Sequence, residues 1–322
     1  MSDAAPKAPS ARAVTAGGPV LILGIRPRAG TNLLGDLLGL HPALAATRVP
    51  EDGLLRPSRH LLAYAREAAR FWDQEGWGVG AHEEDALLAH LGRGLRAWLE
   101  RDLPPGRRVL TKTPSLRGLA QVFRLFPDAD VLLLVRDGRA VVESGVRSFG
   151  WTHEQGSRKW AEAAAMLRAF TAGPRGAAGR WKQVRYEDLV RDQEGQLREV
   201  LGFLGLDAAD YDFGAAAGLP VRGSSLLTDE HGRPRWDAAP KPEGFDDRPR
   251  WAHWDAARHA RFNWIAGEHL VALGYEPVSV PEHALGQRAR DAAFRAKREL
   301  QKLSRPTRPP ALPPTPPRQE MP

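Results

Sequence analysis

Residues 130–135 read DVLLLV, a run of strand length with no polar alternation after its first residue. A strand with one face in water alternates apolar and polar side chains, so a continuous run fits a strand covered on both faces, the signature of a parallel sheet between helical layers. Similar runs occur at 19–23 (PVLIL), 108–111 (RVLT) and 182–186 (KQVRY). Between them lie segments with helical periodicity, roughly 31–40, 54–71, 84–101, 116–125, 139–149, 158–171 and 194–204, with a closing helix over 263–275. Strands alternating with helices predict an α/β fold: a P-loop-like, doubly wound parallel sheet flanked by helices. Residues 207–262, rich in Gly, Pro and Trp, read as a loop-rich C-terminal segment of the same single domain.

The domain is expected over 19–280, preceded by a disordered segment, 1–18, and followed by a basic, Pro-rich tail, 281–322. Residues 306–322 hold eight prolines in 17 positions, which excludes a helix or a central strand there. Just before them, 291–303 suits a short basic helix. The formal charge of +7 is unevenly placed: +1 falls on residues 1–18 and +6 on 283–322, which leaves the body near neutral. A basic face for nucleic acid is therefore not expected. No run approaches a membrane span and no signal-peptide pattern opens the chain. The absence of cysteine excludes disulfides and thiolate metal sites and makes a reducing, cytoplasmic setting the expectation. The ten histidines show no zinc-binding spacing, so no metal is expected.

LILGIRPRAGTNLLGDLL, 21–38, is strand, glycine-bounded turn and helix, an arrangement that aims main-chain N–H groups at an anion. The nucleotide triphosphatase loop requires four residues between its glycines and then Lys-Ser/Thr. Here five residues separate Gly24 from Gly30 and Thr31 follows at once, so a P-loop kinase or nucleotidase is the weaker alternative. Arg26 and Arg28 lie within the turn, and a guanidinium fork is suited to anionic oxygens. A glycine-rich turn that merely starts a buried helix is the other reading of this stretch alone. Lys112 ends one strand and Arg136 follows another, so both should meet the first loop where ligands gather in open α/β sheets. Ser144 lies about two turns into the helix after Arg136.

These blocks resemble the sulfotransferases that use 3′-phosphoadenosine 5′-phosphosulfate (PAPS), especially the tyrosylprotein sulfotransferase branch and its bacterial relatives, over roughly 19–276. Pro27-Arg28-Ala29-Gly30-Thr31-Asn32 is similar to that family's P-R-S-G-T-T loop, with Ala29 and Asn32 departing from it. The segment 111–144, with K-x-P and LLLVRDGRA, resembles the block in which the arginine and the serine eight residues on bind the 3′-phosphate, here Arg136 and Ser144. VRYEDLV, 184–190, resembles the third block, which places Tyr186 near the adenine. The resemblance implies sulfuryl transfer from PAPS to a hydroxyl or amine of a small-molecule, saccharide or peptide acceptor, with release of PAP and without a metal. It gives Lys112 the role of stabilising the leaving phosphate.

The family places a glutamate shortly after the HP that ends the first helix, and Glu51 and Asp52 follow that motif here, with Glu51 the expected base. Both also suit a helix start. Ser225 and Lys241 match the separation of a late serine and lysine that touch the cofactor phosphates. His41 is expected to pack or cap. Trp236, Trp251 and Trp254 either line an acceptor site or, the preferred reading, fasten loops to the core. A binding module that has kept PAP affinity and lost catalysis is the remaining alternative.

Overall fold

The protein is described from a computed structural model covering residues 17–77, 82–222, 224, 237–240, 249–281 and 283–303. Its chain falls into two units, Met1–Val278 and Ser279–Pro322. In the first, β1 (Val20–Gly24), α1 (Thr31–Leu38), β2 (Leu44–Ala46), α2 (Ser58–Gln74), α3 (His82–Glu100), β3 (Arg108–Thr113), α4 (Val122–Leu125) and β4 (Asp130–Val135) follow in order. Then come α5 (Gly138–Phe149), α6 (His153–Thr171), α7 (Pro174–Ala177), β5 (Trp181–Arg185), α8 (Tyr186–Arg191), α9 (Gln193–Leu204) and α10 (Phe213–Ala217). A two-residue antiparallel pair, β6 (Val221–Arg222) with β7 (Ala238–Ala239), precedes α11 (Ala256–Ala272). The second unit contains α12 (Ala284–Leu303).

The five main strands are all parallel, in the order β2-β3-β1-β4-β5. Successive side chains of one strand point to opposite faces, and the two cores divide accordingly. Leu21, Leu23, Val131, Leu133 and Val135 pack with Trp160, Phe262 and Leu270 from α6 and α11. Val20, Ile22, Leu132 and Leu134 pack with Leu34 and Leu37 of α1 and Leu197, Val200 and Leu201 of α9. Burial on both faces is the reason the strands read as unbroken apolar runs.

At the amino ends of the strands, buried Arg108 donates to Asp130 Oδ2 at 2.6 Å and to the carbonyls of Gly18 and Leu204, while Arg180 donates to the other Asp130 oxygen. One carboxylate thus ties β3, β4 and β5 together. The opposite, carboxyl ends are left for chemistry. Because β2 and β3 lie on one side of β1 and β4 and β5 on the other, the sheet changes winding direction at β1/β4, where such folds bind ligands.

Several boundaries differ from the sequence reading. The helix expected from 158 begins at 153, because Thr152 and Gln155 form a reciprocal capping box. The closing helix starts at Ala256, where Asp255 accepts from the Arg258 amide at 2.8 Å, and ends at Ala272. The helix expected over 116–125 is broken by Gly118, at φ 86°, into a 3₁₀ turn (Leu119–Gln121) and α4. The helix expected from 54 begins at Ser58, after the turn that carries Gly53 at φ 60°. The tail helix runs Ala284–Leu303, seven residues earlier than expected. The edge strand β2 is an addition.

Candidate active site

The turn after β1 closes with the Ala29 amide donating to the Arg26 carbonyl at 3.2 Å, and Gly30 enters α1 at φ 101°. No side chain caps this helix, and the first helical bond runs from the Leu34 amide to the Gly30 carbonyl. The amides of the first turn therefore stay open at the positive end of the helix dipole. Gly30 is required for a second reason: a Cβ there would lie 2.4 Å from Cδ2 of Tyr186. Arg28 also adopts a left-handed conformation, φ 78°, which costs a non-glycine residue of order 1 kcal/mol. The strain accompanies an inward-turned guanidinium. Ala29 packs in the apolar core.

Arg28 donates from Nε to Oγ of Ser144 at 2.9 Å, and Ser144 is fully buried on α5. Arg136, directly after β4, donates to the Arg28 carbonyl at 3.1 Å and lies over the Tyr186 ring at 3.9 Å. Its own carbonyl accepts from the Trp160 indole at 3.3 Å, which fixes the exit from the strand. Arg28, Arg136, Ser144, Gly30 and Tyr186, from three βα junctions, thus form one contiguous group. Arg26 lies over the Trp151 ring at 5.5 Å, and among the described residues its buried Nε has no hydrogen-bond partner.

A second group lies along the other side of α1. Lys112 passes over Gly35, where a Cβ would approach its Cδ to 3.3 Å, and its Nζ lies 3.7 Å from Oε1 of Glu51. Burial lowers the proton affinity of Lys112; Glu51 opposes that, Arg222 reinforces it and Asp36 opposes it, with a net lowering. Asp36 is ion-paired with Arg222, yet burial holds its carboxyl above the usual range.

The two acidic candidates separate cleanly. Asp52 accepts from Thr111 Oγ1 at 2.7 Å and from the Leu54 amide at 2.8 Å, so its carboxylate is engaged in holding its own turn. The Glu51 side chain, 52% exposed, faces Lys112. His41 packs, as expected: Nδ1 accepts from the Ala43 amide at 3.1 Å and Nε2 donates to the Asp207 carbonyl at 3.2 Å. Ser225, Lys241 and Trp236 lie outside the described residues.

Residues 19–210 match the model of the sulfotransferase family. The chain belongs to that family. It is 30% identical over 280 residues to the protein-tyrosine sulfotransferase of Drosophila melanogaster, a match that covers 82% of this chain and 53% of that protein. It is 26% identical over 282 residues to protein-tyrosine sulfotransferase 1 of Danio rerio, covering 82% and 74%. The chain thus spans about half the length of the fly relative. Among solved structures, the sulfotransferase domain from the curacin biosynthetic pathway aligns with a TM-score of 0.47 at 19% identity, covering 82% of this chain and 99% of that one.

This sulfotransferase carries further side chains at the site that the sequence reading did not single out. Arg250 donates to Ser144 Oγ and to Ser224 Oγ, each at 3.3 Å, so the guanidinium groups of Arg28 and Arg250 meet at one buried hydroxyl. Arg250 begins a strap laid over α5. Trp251 donates to Asp137 at 3.1 Å and stacks on Arg139, and Trp254 donates to Glu143 at 2.9 Å. Trp251 and Trp254 therefore act as fasteners, the preferred of the two readings. Within the loop-rich 207–262, only a tertiary contact distinguishes Arg250 from its neighbours. Among the described residues, no group of three or more acidic or histidine side chains is arranged for a metal ion, and no helix is long and apolar enough to cross a membrane.

Proposed function

We propose that this sulfotransferase takes PAPS as donor, moves its sulfuryl group to a hydroxyl of an acceptor and releases PAP. The supporting observation is the meeting of Arg28 and Arg250 at Ser144, with Arg136 on the Arg28 carbonyl, beside a helix start without a side-chain cap and with Lys112 and Glu51 paired near the same helix. Such a group fits a ligand with two separated anionic ends and an aromatic base. Arg28, Arg136, Arg250 and Ser144 would hold the 3′-phosphate, the Tyr186 ring would border the adenine, and the amides of Thr31 and Asn32 would receive the 5′ end.

PAPS, when bound, supplies an activated sulfuryl group whose departing phosphate carries the bond electrons. The protein's share is positioning and charge, as in phosphoryl transfer. Lys112, held by Gly35 and β3, places an ammonium where negative charge grows on the leaving oxygen, so it favours the transition state over the ground state. Glu51 accepts the acceptor's hydroxyl proton. The balance is one hydroxyl and PAPS in, one sulfate ester, PAP and one proton out. The curated relatives are named for protein tyrosine, which makes a phenol the first acceptor group to try.

The test is a melting curve with PAP and a transfer assay with sulfur-labelled PAPS and a phenol. PAP at a hundredfold excess over its Kd should raise the Tm by about 5 °C. No shift at millimolar PAP, or a larger one with ATP and Mg²⁺, overturns the reading.

A further inference from the structure

The helix α12 has 20 residues, a length of about 30 Å, and nothing above assigns it a role. At about 3.6 residues per turn, Leu285, Ala289, Ala292, Ala293, Ala296 and Leu300 fall within one arc of roughly 100°. All six are exposed, Leu285 at 82% and Leu300 at 67%. The residues withdrawn from solvent lie elsewhere around the helix. Gln287 is buried, and Asp291 and Phe294 are half-buried, on a row spaced by four and then three. The covered side of α12 and its apolar stripe are thus different sides.

The bases are placed with respect to that stripe. Arg288 and Arg295 run along one border and Arg290 and Lys297 along the other, each pair seven residues apart, and all four are exposed. Glu299 stands at the first border and Asp291 on the covered side. Residues 283–322 carry +6 while the body is near neutral, so the surplus is concentrated here. A second α12 laid stripe to stripe would bring basic rows together along both flanks, which repels. A polyanion held by charge alone would leave the apolar stripe in water. An anionic lipid surface matches both features, acidic headgroups for the two rows and the acyl boundary for the stripe between them. Among the described residues no helix is long and apolar enough to cross a membrane, so α12 would lie along the surface.

We propose that α12 is an interfacial anchor: it lays the stripe from Leu285 to Leu300 into a bilayer rich in acidic phospholipid, with Arg288, Arg290, Arg295 and Lys297 on the headgroups. Two leucines and four alanines bury little apolar surface, so charge carries most of the affinity and the association is reversible. Each base near an anionic leaflet strengthens binding by about fivefold, and salt screens the effect. The inference does not depend on the donor reading, because no residue of the candidate active site takes part.

The test is co-sedimentation of the full chain with vesicles of phosphatidylcholine, alone or with about one-third phosphatidylserine. The mixed vesicles should bind at least about tenfold more tightly at low salt, and high salt should remove the difference. R288Q/R290Q/R295Q/K297Q should lose that preference, whereas R288K/R290K/R295K, which keeps every charge, should retain most of it. L285Q/L300Q also keeps every charge and should bind the mixed vesicles severalfold more weakly. Equal binding to the two vesicles, or a preference that survives in the quadruple variant, overturns the proposal. Full binding by L285Q/L300Q overturns it as well, since charge alone would then suffice and duplex DNA or heparin would serve equally. A dimer that sediments without vesicles and dissociates in L285Q/L300Q would overturn it in favour of a second copy on the stripe.

Discussion

Arg28 and Ser144, 116 residues apart in the chain, are joined by a 2.9 Å hydrogen bond from a strained loop to a fully buried hydroxyl. That bond links the turn after β1 to the helix after β4 across the point where the sheet reverses its winding. Replacing Ser144 with Ala preserves volume and removes the oxygen on which Arg28 and Arg250 converge. S144A should raise the Kd for PAP about tenfold, near 1.4 kcal/mol, by isothermal titration. Unchanged affinity would remove Ser144 from the proposed phosphate site.

Lys112 is assigned a role that grows as the leaving oxygen gains charge. K112A should therefore lower kcat by 10²–10³-fold, the range for losing one stabilising donor of this kind. The PAP melting shift should persist. An equal loss in PAP binding would instead make Lys112 a ground-state ligand.

The pH profile carries a related expectation. Burial lowers the proton affinity of Lys112, Glu51 opposes, Arg222 lowers it further and Asp36 opposes. In the proposed role the protonated form is the active one, so activity is held at low pH and lost as pH rises through the lowered value. The alkaline limb of kcat/KM should fall below the ordinary lysine value of 10.5. R222A removes a like charge and releases Asp36 from its pair, so the limb should move to higher pH. Movement to lower pH, or none, contradicts this electrostatic account.

Gly30 faces two constraints that alanine violates together, φ 101° and a Cβ 2.4 Å from Tyr186. G30A should lose about 2 kcal/mol or more of stability, read from the denaturant midpoint at constant m. Y186A in the same background removes the ring and should recover only the steric part. A neutral G30A would mean that the turn accommodates a side chain.

Glu143 anchors the strap. Burial pushes its carboxyl up, but hydrogen bonds from Trp254, His153 and Arg147 outweigh this and hold it below the usual range, with His253 adding to the lowering. A carboxylate with a depressed value contributes stability that is present above its unfolded value and lost as pH falls through the folded one. Melting temperature should hold down to about pH 4–5 and then decline. In W254F one donor is gone, and the decline should start at higher pH. Coincident curves for the two proteins would show that the indole bond does not stabilise the charged form.

The strands buried on both faces were legible because sheet and helix layers leave no polar alternation, and the first loop because glycine, proline and arginine punctuate it. β2 was not, since a three-residue edge strand, LAA, has no period to detect. The break at Gly118 was missed because the surrounding apolar spacing still satisfies a helix. Glu51 and Asp52 stood side by side with Glu51 the expected base, and it is the bonds from Thr111 and the Leu54 amide to Asp52 that set their surroundings apart. Arg250 had no local signal, because its position depends on Ser144, a residue 106 positions earlier.

The turn that carries Glu51 is fastened to β3 at three successive points: Asp52 to Thr111, the Asp52 amide to the Lys112 carbonyl, and the Gly53 amide to Thr113. The proposed proton acceptor and ammonium consequently ride on a common rail, and their spacing is inherited from the main chain. The long excursion from 54 to 107 can then be rebuilt for a new acceptor without retuning the reacting pair. In this architecture a change of acceptor is separable from the proposed transfer step.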